Sequence, residues 1–110
     1  SNIKIIGIHV YNGTRILTAD TIIENTQYIL GLATKLSNEW NINLEMVDIG
    51  GGLGVPYFDN ENEIELSEIK LKIKPIVDQY LSRFPKTRII LESGRYLVAT
   101  CGALVSKVMD

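Results

Sequence analysis

The sequence predicts an α/β fold with parallel strands, and three observations carry that prediction. Short apolar runs rich in β-branched residues, at 3–10, 44–49 and 88–91, alternate with longer stretches whose apolar residues recur at helical spacing. The links between them are short, so each strand–helix–strand unit calls for a right-handed crossover and parallel pairing. Polar and glycine-rich residues also gather just past the C-terminal end of each strand. That edge is where parallel α/β sheets bind ligands.

The totals set the bounds. At 110 residues the chain is one domain or part of one. Its 45% hydrophobic and 22% charged residues suit a globular protein able to bury a core. A net charge of −2 with no basic cluster argues against nucleic acid or an anionic membrane as partner. No run is apolar and long enough to cross a bilayer, and no signal-peptide pattern is present. A lone cysteine, Cys101, excludes an internal disulfide and suits a reducing, cytoplasmic setting. A single histidine, His9, excludes a His-rich metal site, and no metal is expected. Ser1-Asn2 reads as a cloning remnant. The chain opens on a strand and closes on apolar residues, so both ends read as cut from something larger.

Taken in order, 3–10 is the first strand, interrupted at Gly7, where a strand glycine signals close approach by another group. Asn12-Gly13 ends it. Asp20 or Thr21 is expected to cap a helix running to about residue 37, with Thr21 and Glu24 at capping-box spacing. Its apolar stripe is Ile22, Ile23, Ile29, Leu30, Ala33 and Leu36. Residues 38–41 form the return loop and 44–49 the second strand. The acidic loop 58–65 lacks the glycine of a calcium-binding EF-hand loop and reads as a solvated surface. Ser67 is expected to cap a second helix with Ile69, Ile73, Ile76, Val77, Tyr80, Leu81 and Phe84 on one face. Pro75 should kink or divide it. The third strand, 88–91, leads into a short helix over 96–101, and 103–109 alternates loosely as a last strand.

The stretch Gly50-Gly51-Gly52-Leu53-Gly54 follows the second strand directly. Glycines there let the backbone take positive φ and lie against a ligand, and consecutive N–H groups make an anion-binding concavity. A plain tight turn is the bland alternative. A Rossmann fingerprint does not fit, because the glycine spacing differs and the helix starts late. A P-loop is excluded by the absence of Gly-Lys-Ser/Thr. Glu92-Ser93-Gly94 is no nucleophile elbow, lacking the earlier glycine.

Three segments then carry a family resemblance: Gly7-Ile8-His9-Val10-Tyr11-Asn12-Gly13-Thr14, Asp48-Ile49-Gly50-Gly51-Gly52-Leu53-Gly54, and Glu92-Ser93-Gly94-Arg95-Tyr96-Leu97-Val98-Ala99. In order and approximate spacing they resemble signatures of the fold-type III pyridoxal-phosphate (PLP) decarboxylases, the ornithine and diaminopimelate type. The resemblance implies the C-terminal portion of a (β/α)8 TIM barrel over residues 1–102, leading into the start of a β domain at 103–110. A full barrel takes roughly 250 residues, so this chain cannot close one.

The resemblance implies PLP as cofactor. Gly50, Gly51 and Gly52 match the phosphate loop, and Gly94 and Arg95 its second half, with Arg95 alternatively reaching a substrate carboxylate. Glu92 matches the catalytic acid that pairs with the pyridine nitrogen and keeps the ring able to accept electrons. Thr14 matches a phosphate-holding hydroxyl, and His9 a frequent family histidine. Tyr11 stands where the family has the histidine that stacks on the ring, and Ser93 where it has proline. The family's Schiff-base lysine and later cysteine motif have no counterpart here, so the isolated chain is expected to be inert. Cys101 is read as packing. Tyr11 and the segment from Gly54 to Phe58 look more like a branch acting on amino acids tethered to a carrier protein. The implied partners are an amino-acid substrate, free or carrier-bound, and a second subunit in a full-length homodimer; the fragment itself is expected to self-associate. A racemase-type enzyme and a non-catalytic regulatory homologue are the alternatives.

Overall fold

The computed structural model describes residues 2–109, so the outermost residues of the two expected segments, 1 and 110, lie outside it. The elements run β1 (Gly7–His9), α1 (Ala19–Trp40), β2 (Met46–Gly51), α2 (Leu66–Arg83), β3 (Arg88–Glu92) and α3 (Gly94–Val98). The three strands form one parallel sheet in the order β1-β2-β3. Helical links join parallel neighbours, as the alternation requires.

The core lies between the sheet and its two long helices. Ile29, Leu30 and Ala33 of α1 pack with Leu44, with Val47 of β2 and with Tyr80 of α2, and half-buried Ile76, Val77 and Ile89 close around them. A smaller cluster of Ile22, Leu53 and Ile64, with Ile16, Ile69, Ile73 and Tyr96, sits under the loops at the strand ends. Most of the predicted α1 stripe is buried, while Ile23 and Leu36 lie at its margins.

Several boundaries differ from expectation. β1 starts only at Gly7; before it, the Ile6 carbonyl accepts from the Glu45 and Met46 amides at 2.6 and 3.2 Å. At Gly7 a side chain would collide with the Met46 backbone carbonyl, which is the close approach its glycine signals. α1 begins after Thr18 and not at Asp20 or Thr21; Thr18 has extended backbone and no side-chain cap bond, and its hydroxyl meets that of Thr21 at 2.7 Å. It runs on to Trp40, ending at Asn41 in the left-handed conformation, where its N–H reaches the Ser37 carbonyl. α2 is capped by Glu65, whose carboxylate accepts from the Ser67 amide at 3.3 Å, so Ser67 is inside the helix.

Pro75 does not divide α2. It is exposed, so its missing N–H falls on the solvent side while Ile73, Ile76 and Tyr80 hold the helix from within. The short helix α3 starts at Gly94, two residues early. Residues 103–109 form no strand. They are exposed throughout and pair with neither β1 nor β3, and alternation without a partner ladder does not make a strand. No described helix is long and apolar enough to cross a membrane.

Candidate functional site

Parallel pairing puts the C-terminal ends of β1, β2 and β3 at one edge, with His9 opposite Asp48 and Gly51 opposite Glu92. The register slips between Asp48 and Gly51: three steps along β2 match two along β3. This is a β-bulge, and Gly50 at its centre has φ +70, a conformation cheap only for glycine. The Asp48 carboxylate accepts the Gly50 amide at 2.9 Å, a local turn that holds the bulge open. The glycine run is therefore partly strand, not the turn beyond it.

The glycines are needed for a reason the sequence leaves open. A methyl group on Gly50 would overlap the Val10 carbonyl, one on Gly51 the Glu92 carbonyl, and one on Gly52 would lie 2.5 Å from the Gly13 carbonyl. What approaches them is the protein's own backbone. Gly52, at φ +86, carries the chain across the end of β1, where the Ile16 amide donates to its carbonyl at 2.8 Å. The ends of all three strands are thus in main-chain contact.

On this floor stand three polar side chains. His9 Nε2 lies 3.5 Å from Glu92 Oε2, and one ligand atom each of His9, Asp48 and Glu92 lies within 4.8 Å of the others. His9 and Glu92 are exposed at the edge, whereas Asp48 is buried. A histidine and two carboxylates at a strand-end edge can hold a cationic N–H group and keep its proton.

The other predicted residues take looser positions. Tyr11 is 66% exposed, with its Cα beside Gly50. Thr14 is exposed one residue after Gly13, which touches Gly52. Gly94 and Arg95 open α3 and are exposed, two and three residues beyond Glu92. The structure brings His9, Glu92 and Gly50 to Gly52 together around β2, and leaves Arg95 at the rim.

Three residues of this region were not singled out by their sequence pattern. Asp48 had a usable signal, since an aspartate two residues before a glycine is placed to accept its amide. Arg15 and Glu61, in the loops after β1 and β2, form an ion pair that nothing local announces. Glu61 was expected to be a solvated member of an acidic loop. Instead its carboxylate accepts the Tyr57 and Phe58 amides at 2.8 and 3.4 Å.

A parallel α/β unit with a glycine bulge and a strand-end acid fits the class of parallel barrels and sheets, which bind their ligands at the C-terminal edge of the strands. Residues 1–99 match the family model described as the pyridoxal-dependent decarboxylase, pyridoxal binding domain. The chain belongs to that family, and the cofactor implied is pyridoxal 5′-phosphate. It is 40% identical over 107 residues to an L-glutamyl-(BtrI acyl-carrier protein) decarboxylase of Niallia circulans, covering 96% of this chain and 25% of that protein. It is 31% identical over 106 residues to a diaminopimelate decarboxylase of Methanocaldococcus jannaschii, covering 96% and 24%. A crystal structure of the diaminopimelate decarboxylase from M. jannaschii superposes with a TM-score of 0.67 at 30% identity, covering 86% of this chain and 21% of that one. The chain spans about a quarter of the length of the curated relatives it matches.

Proposed function

We propose that this chain is part of the (β/α)8 barrel of a PLP-dependent amino-acid decarboxylase, with 1–102 in the barrel and 103–110 leading into a β domain. The observation that carries the reading is the Glu92 carboxylate beside His9, on a strand end whose main chain touches the glycine bulge. The residues fit the cofactor: a carboxylate for the pyridine nitrogen and, on the same edge, a backbone floor for the phosphate.

PLP, when bound, supplies an electron sink for the pair left behind as CO2 departs. Glu92 holds a proton on the pyridine nitrogen, and His9, in contact with Glu92, orients that carboxylate. Gly51, Gly52, Gly94 and Arg95 bind the phosphate, with Thr14 adding a hydroxyl. Gly50 shapes the loop, since its own amide is engaged by Asp48. Tyr11, exposed beside Gly50, would supply an aromatic face for the ring in place of the histidine that the resemblance implies. The lysine that holds the cofactor covalently is supplied from outside this chain. The substrate is an amino acid, and the carrier-bound kind is favoured by the 40% identity to a decarboxylase named for a carrier-linked glutamyl group. A cytoplasmic setting and a homodimer of the longer protein complete the reading.

The test is decarboxylation by the longer protein containing this chain. With PLP it should release CO2 from an amino acid, and a carrier-protein thioester should outcompete free glutamate, diaminopimelate and ornithine. Glu92→Gln should lower kcat by about a hundredfold or more. A loaded protein that releases no CO2 from any of these would favour the regulatory homologue, the alternative that Tyr11 and Ser93 keep open.

A further inference from the structure

We infer that Arg15 is a positioning residue: it fastens the loop after β1 to the loop after β2 and so sets the phosphate floor formed by Thr14 and Gly52. The inference rests on the PLP reading and concerns residues that do not themselves touch the cofactor.

The two loops meet along their backbones. The Ile16 amide donates to the Gly52 carbonyl and the Gly54 amide to the Ile16 carbonyl, both at 2.8 Å, closing a parallel bridge between Ile16 and Leu53. A side chain on Gly54 would meet the Arg15 backbone at 2.9 Å, so Gly54 is small for Arg15. Beyond this bridge the Arg15 guanidinium crosses to the second loop. Its Nη2 pairs with Glu61 Oε1, and its Cζ stands 4.6 Å over the Tyr57 ring and 5.7 Å from that of Phe58. Glu61 in turn uses its other oxygen on the Tyr57 and Phe58 amides. One arginine therefore grips a loop whose own turn is tied by the same carboxylate.

Two local costs mark the position. Arg15 has φ +56, a region that residues other than glycine, asparagine and aspartate avoid. Its Nε is buried with no partner among the described residues. A surface ion pair needs neither. Such strain persists where surrounding contacts over-determine it, and it clusters beside functional sites. Here the strained residue directly follows Thr14 and directly precedes the bridge to the glycine run.

The chemistry selects arginine over lysine. A planar guanidinium can accept ring faces on one side while donating in its plane, and an ammonium cannot do both. The inference is tested in the longer protein by titrating the cofactor-free form with PLP, following visible absorbance and the 31P chemical shift of the bound phosphate. Arg15→Lys, which loses the planar stacking, and Glu61→Gln, which loses the ion pair, should each raise the PLP dissociation constant by about threefold to tenfold, the scale of the single contact each removes. Both should shift the phosphate resonance, and the double variant should be no worse than either alone. Arg15→Gly, which relieves the backbone but removes the clasp, should weaken PLP as much as Arg15→Lys does without lowering the Tm further. Unchanged affinity and phosphate shift in all three would overturn the inference, as would losses that merely track Tm. If the parent binds PLP while the variants match it, the clasp alone fails. If the parent binds no PLP, the reading beneath it fails as well.

Discussion

The ends of β2 and β3 supply the two halves of one proposed phosphate site, yet they are built differently. At the end of β2 the glycines are locked: Gly50, Gly51 and Gly52 each face a backbone atom of a neighbouring segment, and Asp48 beneath them is buried. At the end of β3, Gly94 has open space where a side chain would go, and Glu92 and Arg95 are exposed. A central strand is flanked on both sides and can be shaped by its neighbours. β3, at the sheet edge, has a strand neighbour on one side only among the described residues. The same residue type, glycine, is thus a packing requirement in one half and meets no neighbouring atom in the other.

The sharpest way to break the comparison is a pair of identical substitutions. Gly51→Ala drives a methyl group into the Glu92 carbonyl and should cost about 3 kcal/mol or more by displacing the end of β3. Gly94→Ala should change stability by no more than about 0.5 kcal/mol. Denaturant unfolding of the longer protein reads both, and equal effects would erase the distinction.

A smaller effect is expected one layer down. Asp48→Ala leaves the buried Gly50 amide without its acceptor, so it should cost about 1–3 kcal/mol. The same measurement on Glu92→Gln, at an exposed position, should show little change in stability while activity falls. If Asp48→Ala were neutral, the bulge would be held by main-chain contacts alone.

The smallest effect is a pH dependence in the loop beyond β2. The Glu61 carboxyl is held below its ordinary range, first by the Tyr57 amide and then by Arg15, with burial opposing both. A depressed folded pKa means that its contribution is complete above the ordinary carboxylate value and drains away as pH falls through the folded one. Below about pH 5 the parent's Tm should therefore fall more steeply than that of Glu61→Gln. Parallel curves would show that Glu61 adds nothing to the packed half.

Much of the fold is legible in the sequence, because its signals are periodic and local. Ile22, Ile29, Leu30 and Ala33 mark the buried face of α1 at helical spacing, and the glycine cluster marks the end of β2 where the three strands meet. What escapes is set by contacts distant in sequence. Glu65 takes the cap expected of Ser67 through a short-range contact that the pattern also allows, but the larger misses are long-range. Residues 103–109 have a strand's alternation but no strand beside them. Three adjacent glycines indicate that something comes close, but not that it is the carbonyls of Val10, Gly13 and Glu92. Arg15 and Glu61 stand 46 residues apart, and no spacing rule joins them.

The main-chain contacts of Gly51 with Glu92 and of Gly52 with Gly13 bear on how such a parallel α/β unit can be recombined. A βα unit is usually regarded as an exchangeable part, with its strand and following loop moving as one piece. Here the loop after β2 is shaped against the carbonyls of both neighbours, so transplanting it alone would carry the glycines to a place with nothing fitted around them. The smallest graft that preserves the geometry is all three strand ends together.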